Sequence, residues 1–311
     1  MSFVHLHVHS HYSILDGMSK VTDLVDKCQR CGMPAMALTD HGNMFGIKEF
    51  LDYTKKVNGK LKKAVGEKKD EIGKIEKGDP NDPEVAKLKG TLPQLKEELA
   101  ALEQKAADYK PFKPIVGIEA YCAHQSRFKE KDTSRGWHLI LLAKNKQGYL
   151  NLCKLSSLAF IEGFHRHARI DHELLEKYHE GIICSSACLG GEVPQKIMAG
   201  DDAGARESIL WFKQLFGDDY YLELQRHIMD GVNYDSLVDN QVESGNEEDR
   251  TPESVYKRQR QVNAKLLEYA AEYGIKVIAT NDAHFVDQEH AEAHDRLICI
   301  STNADFISPT R

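Results

Sequence analysis

Seven short runs of apolar and β-branched residues, mostly separated by stretches of helical periodicity, constrain this chain more than any other feature. The runs lie at about 3–8, 34–39, 114–121, 138–143, 181–186, 219–225 and 275–281. Helical spacing of apolar residues recurs near 19–31, 43–56, 147–161, 201–216, 253–273 and 287–299. Strands alternating with helices predict βαβ units and a largely parallel α/β sheet. Seven strands are too many for a comfortable open sheet in 311 residues, so a barrel is expected. In barrels of this kind the chemistry sits on loops at the carboxyl ends of the strands.

One stretch is a different material. Residues 55–113 hold 15 Lys, no Arg and 11 Asp or Glu, a net of +4 within a chain whose total is −7, so the remainder carries −11. Leu88, Leu92, Leu95, Leu99 and Leu102 repeat at steps of four and three, a heptad seam, and Leu61, Val65, Ile72 and Ile75 make a shorter stripe upstream. Gly78-Asp79-Pro80-Asn81-Asp82-Pro83 breaks the two apart. Pro93 interrupts the second helix unless Thr91 caps a new start there. These features predict a helical hairpin inserted at 57–112. It either protrudes for docking or DNA contact or is a solvated insertion with no partner; mixed charge on a helical face is ordinarily solvation. Glu243–Thr251 is read as a polar surface loop.

Composition excludes several classes. At 41% hydrophobic and 29% charged residues, the chain is neither collagen-like nor broadly disordered. No apolar run approaches the roughly 18 residues of a membrane span, and Met1-Ser2-Phe3-Val4-His5 has no signal-peptide character, which places the chain most simply in the cytoplasm with no membrane partner. Seven Cys then read as thiols or ligands and not as a disulfide framework. The acidic balance argues against whole-surface attraction to nucleic acid but leaves room for a local site.

Fifteen His are present, five of them within the first 41 residues. In His5-Leu6-His7-Val8-His9-Ser10-His11 alternate side chains share one strand face. Two His at i and i+2 can grip one ion from a rigid element. Several uncompensated His in a buried strand are costly, and a metal supplies the compensation. His7 and His9 are therefore read as ligands, and His5 and His11 as supporting or surface groups. Asp40-His41-Gly42 ends a second strand and Asn281-Asp282-Ala283-His284 closes a third, with Asp282 and His284 again two apart. Glu119, late in its strand, offers a carboxylate able to bridge two ions, and His138 begins the next strand. Three such groups at strand ends are stronger than any one of them.

The chain resembles the PHP (polymerase and histidinol phosphatase) domains found at the amino terminus of bacterial DNA polymerase III alpha subunits. The resemblance rests on Phe3-Val4-His5-Leu6-His7-Val8-His9-Ser10, Tyr12-Ser13, Leu15-Asp16-Gly17, Gly32-Met33-Pro34-Ala35 and Thr39-Asp40-His41-Gly42-Asn43-Met44-Phe45-Gly46. It continues through Lys113-Pro114-Ile115-Val116-Gly117-Ile118-Glu119-Ala120-Tyr121, His138-Leu139, Gly148-Tyr149-Leu150-Asn151-Leu152, Cys188-Leu189-Gly190-Gly191-Glu192 and Ala279-Thr280-Asn281-Asp282. The Asn43–Gly46 and Gly148–Leu152 stretches are typical of the polymerase branch.

That resemblance implies a distorted (β/α)7 barrel of the PHP type over residues 1–300, with 57–112 inserted and 301–311 beginning a linker toward a polymerase core. It implies a trinuclear metal cluster held by His7, His9, Asp16, His41, Glu119, His138, Cys188, Asp282 and His284. By analogy His7, His9, Glu119 and Asp282 hold one ion, Glu119 bridges to a second on His138 and Cys188, and Asp16, His41 and His284 hold the third. Asp16, His41, Glu119 and Asp282 are the residues expected to bear on catalysis, and Asp40 and Asn281 to orient imidazoles. Mixed N, O and S ligands suit Zn2+ first, with Mn2+ or Fe as alternatives. The implied reaction is metal-dependent phosphoester hydrolysis, a 3′–5′ exonuclease acting on a DNA 3′ end. The implied partners are the rest of a polymerase chain and replisome subunits. The palm aspartates of the polymerase branch are missing from these 311 residues, so no DNA synthesis is expected from them. Two alternatives stay open: a metal-stabilised, non-catalytic scaffold docking a polymerase core or proofreading subunit, and a free-standing histidinol-phosphatase-like enzyme.

Other residues read more simply. Cys28 and Cys31 have CxxC spacing without a second pair and fit helix packing, and Cys122, Cys153, Cys184 and Cys299 fit a core. His165, His167, His172 and His179 are expected at the surface. Ser10, Tyr12, Lys144 and Arg169 are possible phosphate contacts that nothing in the sequence singles out. The usual Tyr-Lys-Pro of the family is replaced before Arg169-Ile170-Asp171.

Overall fold

The computed structural model describes residues 3–79, 81–227 and 252–302. The chain divides into two compact units, one formed by residues 1–48 and 114–311 and the other by 49–113.

In the first unit, helix α1 (Val21–Arg30) buries Val21, Leu24, Val25 and Cys28, the i, i+3, i+4, i+7 stripe of an amphipathic helix. Strand β1 (Ala35–Leu38) is buried at every position, as an interior strand requires. Strands β2 (Lys113–Cys122) and β3 (Trp137–Ala143) follow, then helix α5 (Lys146–Ile161) and a short hairpin of β4 (Phe164–His165) and β5 (His167–Ile170). Helix α6 (His172–Tyr178), strand β6 (Ile182–Ser185) and helices α7 (Glu192–Met198) and α8 (Asp202–Phe216) come next. Strand β7 (Tyr220–Gln225), helix α9 (Pro252–Tyr273), strand β8 (Lys276–Thr280) and helix α10 (Ala291–Thr302) complete the unit.

The sheet runs β2-β3-β6-β7-β8, with β1 and β5 on the other side of β2. Residues 5–9 fill the remaining gap. His5 bridges Met36 and Val8 bridges Ala283, both in parallel, and the His9 amide donates to Ala283 at 2.8 Å while the Ala37 amide donates to His5 at 2.8 Å. The sheet thus curls into a distorted barrel. The stretch expected as a strand at 3–8 pairs through these isolated bridges and not as a regular ladder. The largely parallel expectation also needs correction: β3 lies antiparallel to both β2 and β6. Its reversal follows from residues 123–136, which connect β2 to β3 without the crossover helix that a parallel return demands.

Side-chain parity sets the two faces. Ile118, Ala120, Cys122, Leu139 and Leu141 enter the main core with Leu152 and Leu155 of α5, Ile209 and Phe212 of α8, and Leu266 of α9. Ile140 and Leu142 point the other way, into a smaller cluster with Ala37 and Ala187 inside the curl. Glu119 and Tyr121 share their inward parity. Cys122 and Cys184 are core residues as expected, whereas Cys153 and Cys299 are only half-buried. Cys28 packs its thiol 3.6 Å from the Met36 sulfur and Cys31 is exposed.

The second unit takes most of helix α2 (Ile47–Lys77), with α3 (Pro83–Lys89) and α4 (Leu92–Asp108). The helix expected to open at Asn43 begins later, because the Asn43 side chain accepts from the Phe45 amide and shapes a turn. It also runs unbroken past Lys56. Ion pairs Lys68–Glu98 (3.1 Å), Lys69–Glu103 (2.7 Å) and Lys96–Glu76 (2.7 Å) join α2 to an antiparallel α4. Helix α4 starts after Thr91 with Pro93 in its first turn; the Thr91 hydroxyl donates back to Leu88 and makes no side-chain cap. No helix among the described residues is long and apolar enough to cross a membrane. The loop predicted at Glu243–Thr251 and residues 303–311 of the predicted linker lie outside the described residues.

Candidate metal centre

The strand ends gather their polar residues around one carboxylate. Glu119, 1% exposed, has its Oε1 3.3 Å from His7 Nε2, 2.7 Å from His138 Nδ1 and 3.7 Å from Cys188 Sγ. Its Oε2 lies 3.7 Å from His9 Nε2 and in direct contact with His41 Nδ1. Asp282 Oδ1 is 3.1 Å from both His7 Nε2 and His9 Nε2. Asp16 Oδ2 is 2.8 Å from His41 Nε2 and 3.5 Å from His284 Nε2. Cys188 Sγ stands 3.4 Å from His138 Nδ1. All nine side chains named from the sequence therefore converge, and His41 places one ring nitrogen on each of two carboxylates.

The local backbone is specialised for this. Of the four described non-glycine residues with positive φ, Asp282 (48°) belongs to the cluster, and Leu15 (62°) and Ala187 (60°) directly precede Asp16 and Cys188. Such conformations cost energy and are held by their surroundings. Gly190 lies flat beneath a ring: a Cβ there would meet the His138 imidazole at 3.0 Å.

Five buried atoms of these nine side chains make no hydrogen bond among the described residues: His7 Nε2, His9 Nε2, His41 Nδ1, Glu119 Oε2 and Asp282 Oδ1. Buried polar atoms are ordinarily paired, and several unpaired imidazole and carboxylate atoms aimed at each other are what metal ligands look like without the ion among their contacts. His7, His9 and Glu119 form one set with ligand atoms within 4.8 Å of one another; His41, Glu119 and His138 form another, and His9, His41 and His284 a third. The cluster has the composition and geometry to hold metal.

The charges are mutually dependent. Burial alone would raise Glu119, but His138 and His41 hold it well below the usual carboxylate range. Burial likewise opposes ionisation of Asp282, and His7, His9 and His284 overcome it. His9 is pushed down to about 3 by burial and by the neighbouring His41 and His284, so it is a neutral imidazole, the form that ligates. Burial with Glu119 and Asp282 close by raises the Cys188 thiol.

Supporting residues divide into those the sequence suggested and those it did not. Asp40 accepts from the Ser10 amide (2.7 Å) and the Ser13 hydroxyl (2.9 Å), and Ser13 Oγ is 2.9 Å from His9 Nδ1, so Asp40 fixes His9 through Ser13. Asn281 enters through its carbonyl, 2.8 Å from His227 Nε2. His5 packs its ring on Phe3 at 4.8 Å, and His11 is exposed beside Tyr12. Two further residues join the cluster that sequence patterns do not single out. Glu223 lies 2.7 Å from His7 Nδ1, on the ring edge opposite the cluster. His294 on α10 brings Nε2 to 4.0 Å from Asp16 Oδ1. An acid inside the apolar run Leu222-Glu223-Leu224 is the only signal for the first. Arg169 is fully buried and donates to the carbonyls of Gly163, Asp132, Ser134 and Arg127, and Lys144 pairs with Asp219 at 2.7 Å, so both cations are engaged within the fold. His165, His167, His172 and His179 are half-buried, and His172 stacks on Trp211 at 3.8 Å.

Comparison with known proteins agrees with this geometry. Residues 5–227 match the PHP domain family. The chain is 38% identical over 305 residues to DNA polymerase III subunit alpha of Borreliella burgdorferi, covering 97% of this chain and 20% of that protein. It is 35% identical over 308 residues to the same subunit of Chlamydia pneumoniae, again 97% and 20%. For Treponema pallidum the figures are 34% over 315 residues, 100% of this chain and 20% of the relative. The chain thus spans about a fifth of the length of these curated relatives. The chain belongs to the PHP domain family.

Proposed function

We propose that these 311 residues form the PHP portion of a cytoplasmic bacterial DNA polymerase III alpha subunit, and that the cluster is a trinuclear, zinc-preferring centre hydrolysing phosphoesters as a 3′–5′ exonuclease. DNA synthesis is then the work of the polymerase chain beyond these residues, and a DNA 3′ end and replisome subunits are the partners. The observation that carries the reading is the convergence of nine N, O and S side chains, with five unpaired buried atoms, around Glu119. The names of the relatives support the polymerase context.

His7, His9, Glu119 and Asp282 would hold one ion, Glu119 with His138 and Cys188 a second, and Asp16, His41 and His284 a third. Bound divalent ions supply Lewis acidity, acidifying water and neutralising charge on a phosphoester. The chain's own residues do the positioning. Glu223 holds the His7 ring, Asp40 through Ser13 holds His9, and Gly190 lets His138 sit close over the backbone.

Elemental analysis of the purified chain is the first test. Close to three metal ions are expected, and His7→Ala and Asp282→Ala should lose metal; unchanged content in both variants sinks the ligand assignment. The loaded chain should shorten 3′-labelled DNA. Full metal content with inert DNA turns the reading to the scaffold, and turnover of histidinol phosphate in place of DNA turns it to the small-molecule phosphatase.

A further inference from the structure

Next to the cluster, the barrel unit leaves large aromatic side chains in water. Phe45 and Phe164 are each 58% exposed, Phe160 is 40% exposed, and Ile161 is 78% exposed. The rings form a row. Phe45 and Phe160 have centroids 5.7 Å apart at 31°, and Phe160 and Phe164 are 6.2 Å apart at 18°. They come from three places in the fold: the loop after β1, helix α5 and strand β4. A contiguous exposed apolar row of this kind marks a binding surface, whereas scattered exposed apolar residues do not.

Both ends of the row lead somewhere. Phe45 is four residues from His41, and the intervening Asn43 side chain donates to the His41 carbonyl at 2.8 Å. Phe164 begins the β4–β5 hairpin, whose tip is Arg166, exposed and held at φ 62° between the paired His165 and His167. A second exposed cation, Arg135, lies 5.7 Å above the Tyr121 ring. Tyr121 in turn meets His41 (6.1 Å), His138 (5.2 Å) and His167 (4.6 Å). Arg135 therefore approaches the cluster across one aromatic ring, and Arg166 sits at the hairpin tip next to His167, which packs on the same ring. Neither Arg135 nor Arg166 has an acidic partner within 4.0 Å among the described residues.

Two unneutralised arginines on an acidic chain select an anionic occupant. The aromatic row selects one with flat, unpaired faces. Single-stranded nucleic acid has both, and aromatic platforms beside cationic grooves are how such strands are held. A duplex has its bases stacked inward and cannot use the row. The geometry points to a track for single-stranded DNA in which bases stack on Phe45, Phe160 and Phe164 and phosphates meet Arg166 and Arg135 on the way past Tyr121 to the cluster. The track rests on the reading of the cluster as a centre for phosphoesters of DNA, and it makes a frayed or single-stranded 3′ end the substrate.

The test separates binding from hydrolysis. Binding is followed by fluorescence anisotropy of a labelled dodecathymidylate blocked with a 3′ phosphorothioate, using metal-loaded chain. Hydrolysis is followed with bis(p-nitrophenyl) phosphate, too small to occupy the row. Phe160→Ser with Phe164→Ser, and separately Arg135→Gln with Arg166→Gln, should each weaken oligonucleotide binding about tenfold or more. The arginine pair should also flatten the salt dependence. Circular dichroism should stay at native values in both, and the small ester's turnover should stay there in the phenylalanine pair. Native binding with these losses upholds the track even where the ester is not hydrolysed, in which case the phosphoesterase reading alone fails. Undiminished binding in both folded variants, or no binding by the native chain, overturns the track whatever the ester shows. Association of the native chain into dimers that Phe164→Ser dissolves, without oligonucleotide affinity, also overturns it and identifies the row as a protein contact.

Discussion

At the scale of single residues, Glu223 shows how a ligand's far side decides its behaviour. The carboxylate is 2% exposed and accepts from the Ser185 and Thr280 hydroxyls at 2.5 Å each while facing His7 Nδ1 at 2.7 Å. A carboxylate there fixes the tautomer that presents Nε2 to the cluster and raises its basicity. Glu223→Gln keeps the shape and removes the charge, so metal affinity should fall roughly 10- to 100-fold with the fold retained, read by competition against a chelator of known strength. Native affinity in the variant would show that the carboxylate does not tune His7. His7 and His9 are legible in the sequence because alternation on a strand is local. Glu223 is not, because its partner is 216 residues away and only barrel closure brings them together.

Among elements, Glu192 ties three helices. It opens α7, accepts from Ser208 of α8 at 2.5 Å and from Lys196 at 2.9 Å, and sits 3.2 Å from His172 at the start of α6. Burial would raise this carboxyl, yet His172, Ser208 and Lys196 lower it from 4.5 to about 2. A lowered carboxyl stabilises the fold fully above its unfolded value near 4.5 and loses that contribution as pH falls toward 2. A carboxyl held that far below its ordinary value favours the folded state by about 3 kcal/mol once ionised, so Glu192→Gln should cost about that much at neutral pH. The deficit should shrink below about pH 4.5 and close near 2, measured as denaturant midpoints of both proteins across that range. A deficit that stays constant with pH would mean that lost packing, not ionisation, is responsible. Elements of this kind are only partly legible. The apolar runs of β2, β3, β6 and β7 announce themselves, since residues buried on both faces leave little room for polar ones; β8, exposed at Lys276, Val277 and Ala279, is legible through its β-branched Val277, Ile278 and Thr280. The β4–β5 hairpin, α6 and α7 do not: each spans seven residues or fewer, too short for a period to register. The reversal of β3 is set by the length and content of a loop, to which strand patterns are blind.

For the molecule as a whole, the cluster is also a stability problem. His7, His9 and Glu119 are buried at 0%, 0% and 1% exposure, deep where unpaired polar atoms are costly, and the chain outside residues 55–113 already carries −11. A group that binds only the folded chain stabilises it by mass action, about 2.7 kcal/mol when the ion is at 100 times its dissociation constant. For a domain near this size each kcal/mol moves the melting midpoint by roughly 2–4 °C. Chelation should then lower the midpoint by about 5–10 °C, reversibly on returning metal. Protons compete for the same imidazoles and carboxylates, so the chelation-sensitive part should diminish as pH falls from 7 to 5. His7→Ala removes a ligand from one of the three ions, so its chelation-dependent drop should be smaller than that of the native chain. A native chain whose midpoint ignores chelation, while still containing metal by elemental analysis, would place that metal away from Glu119.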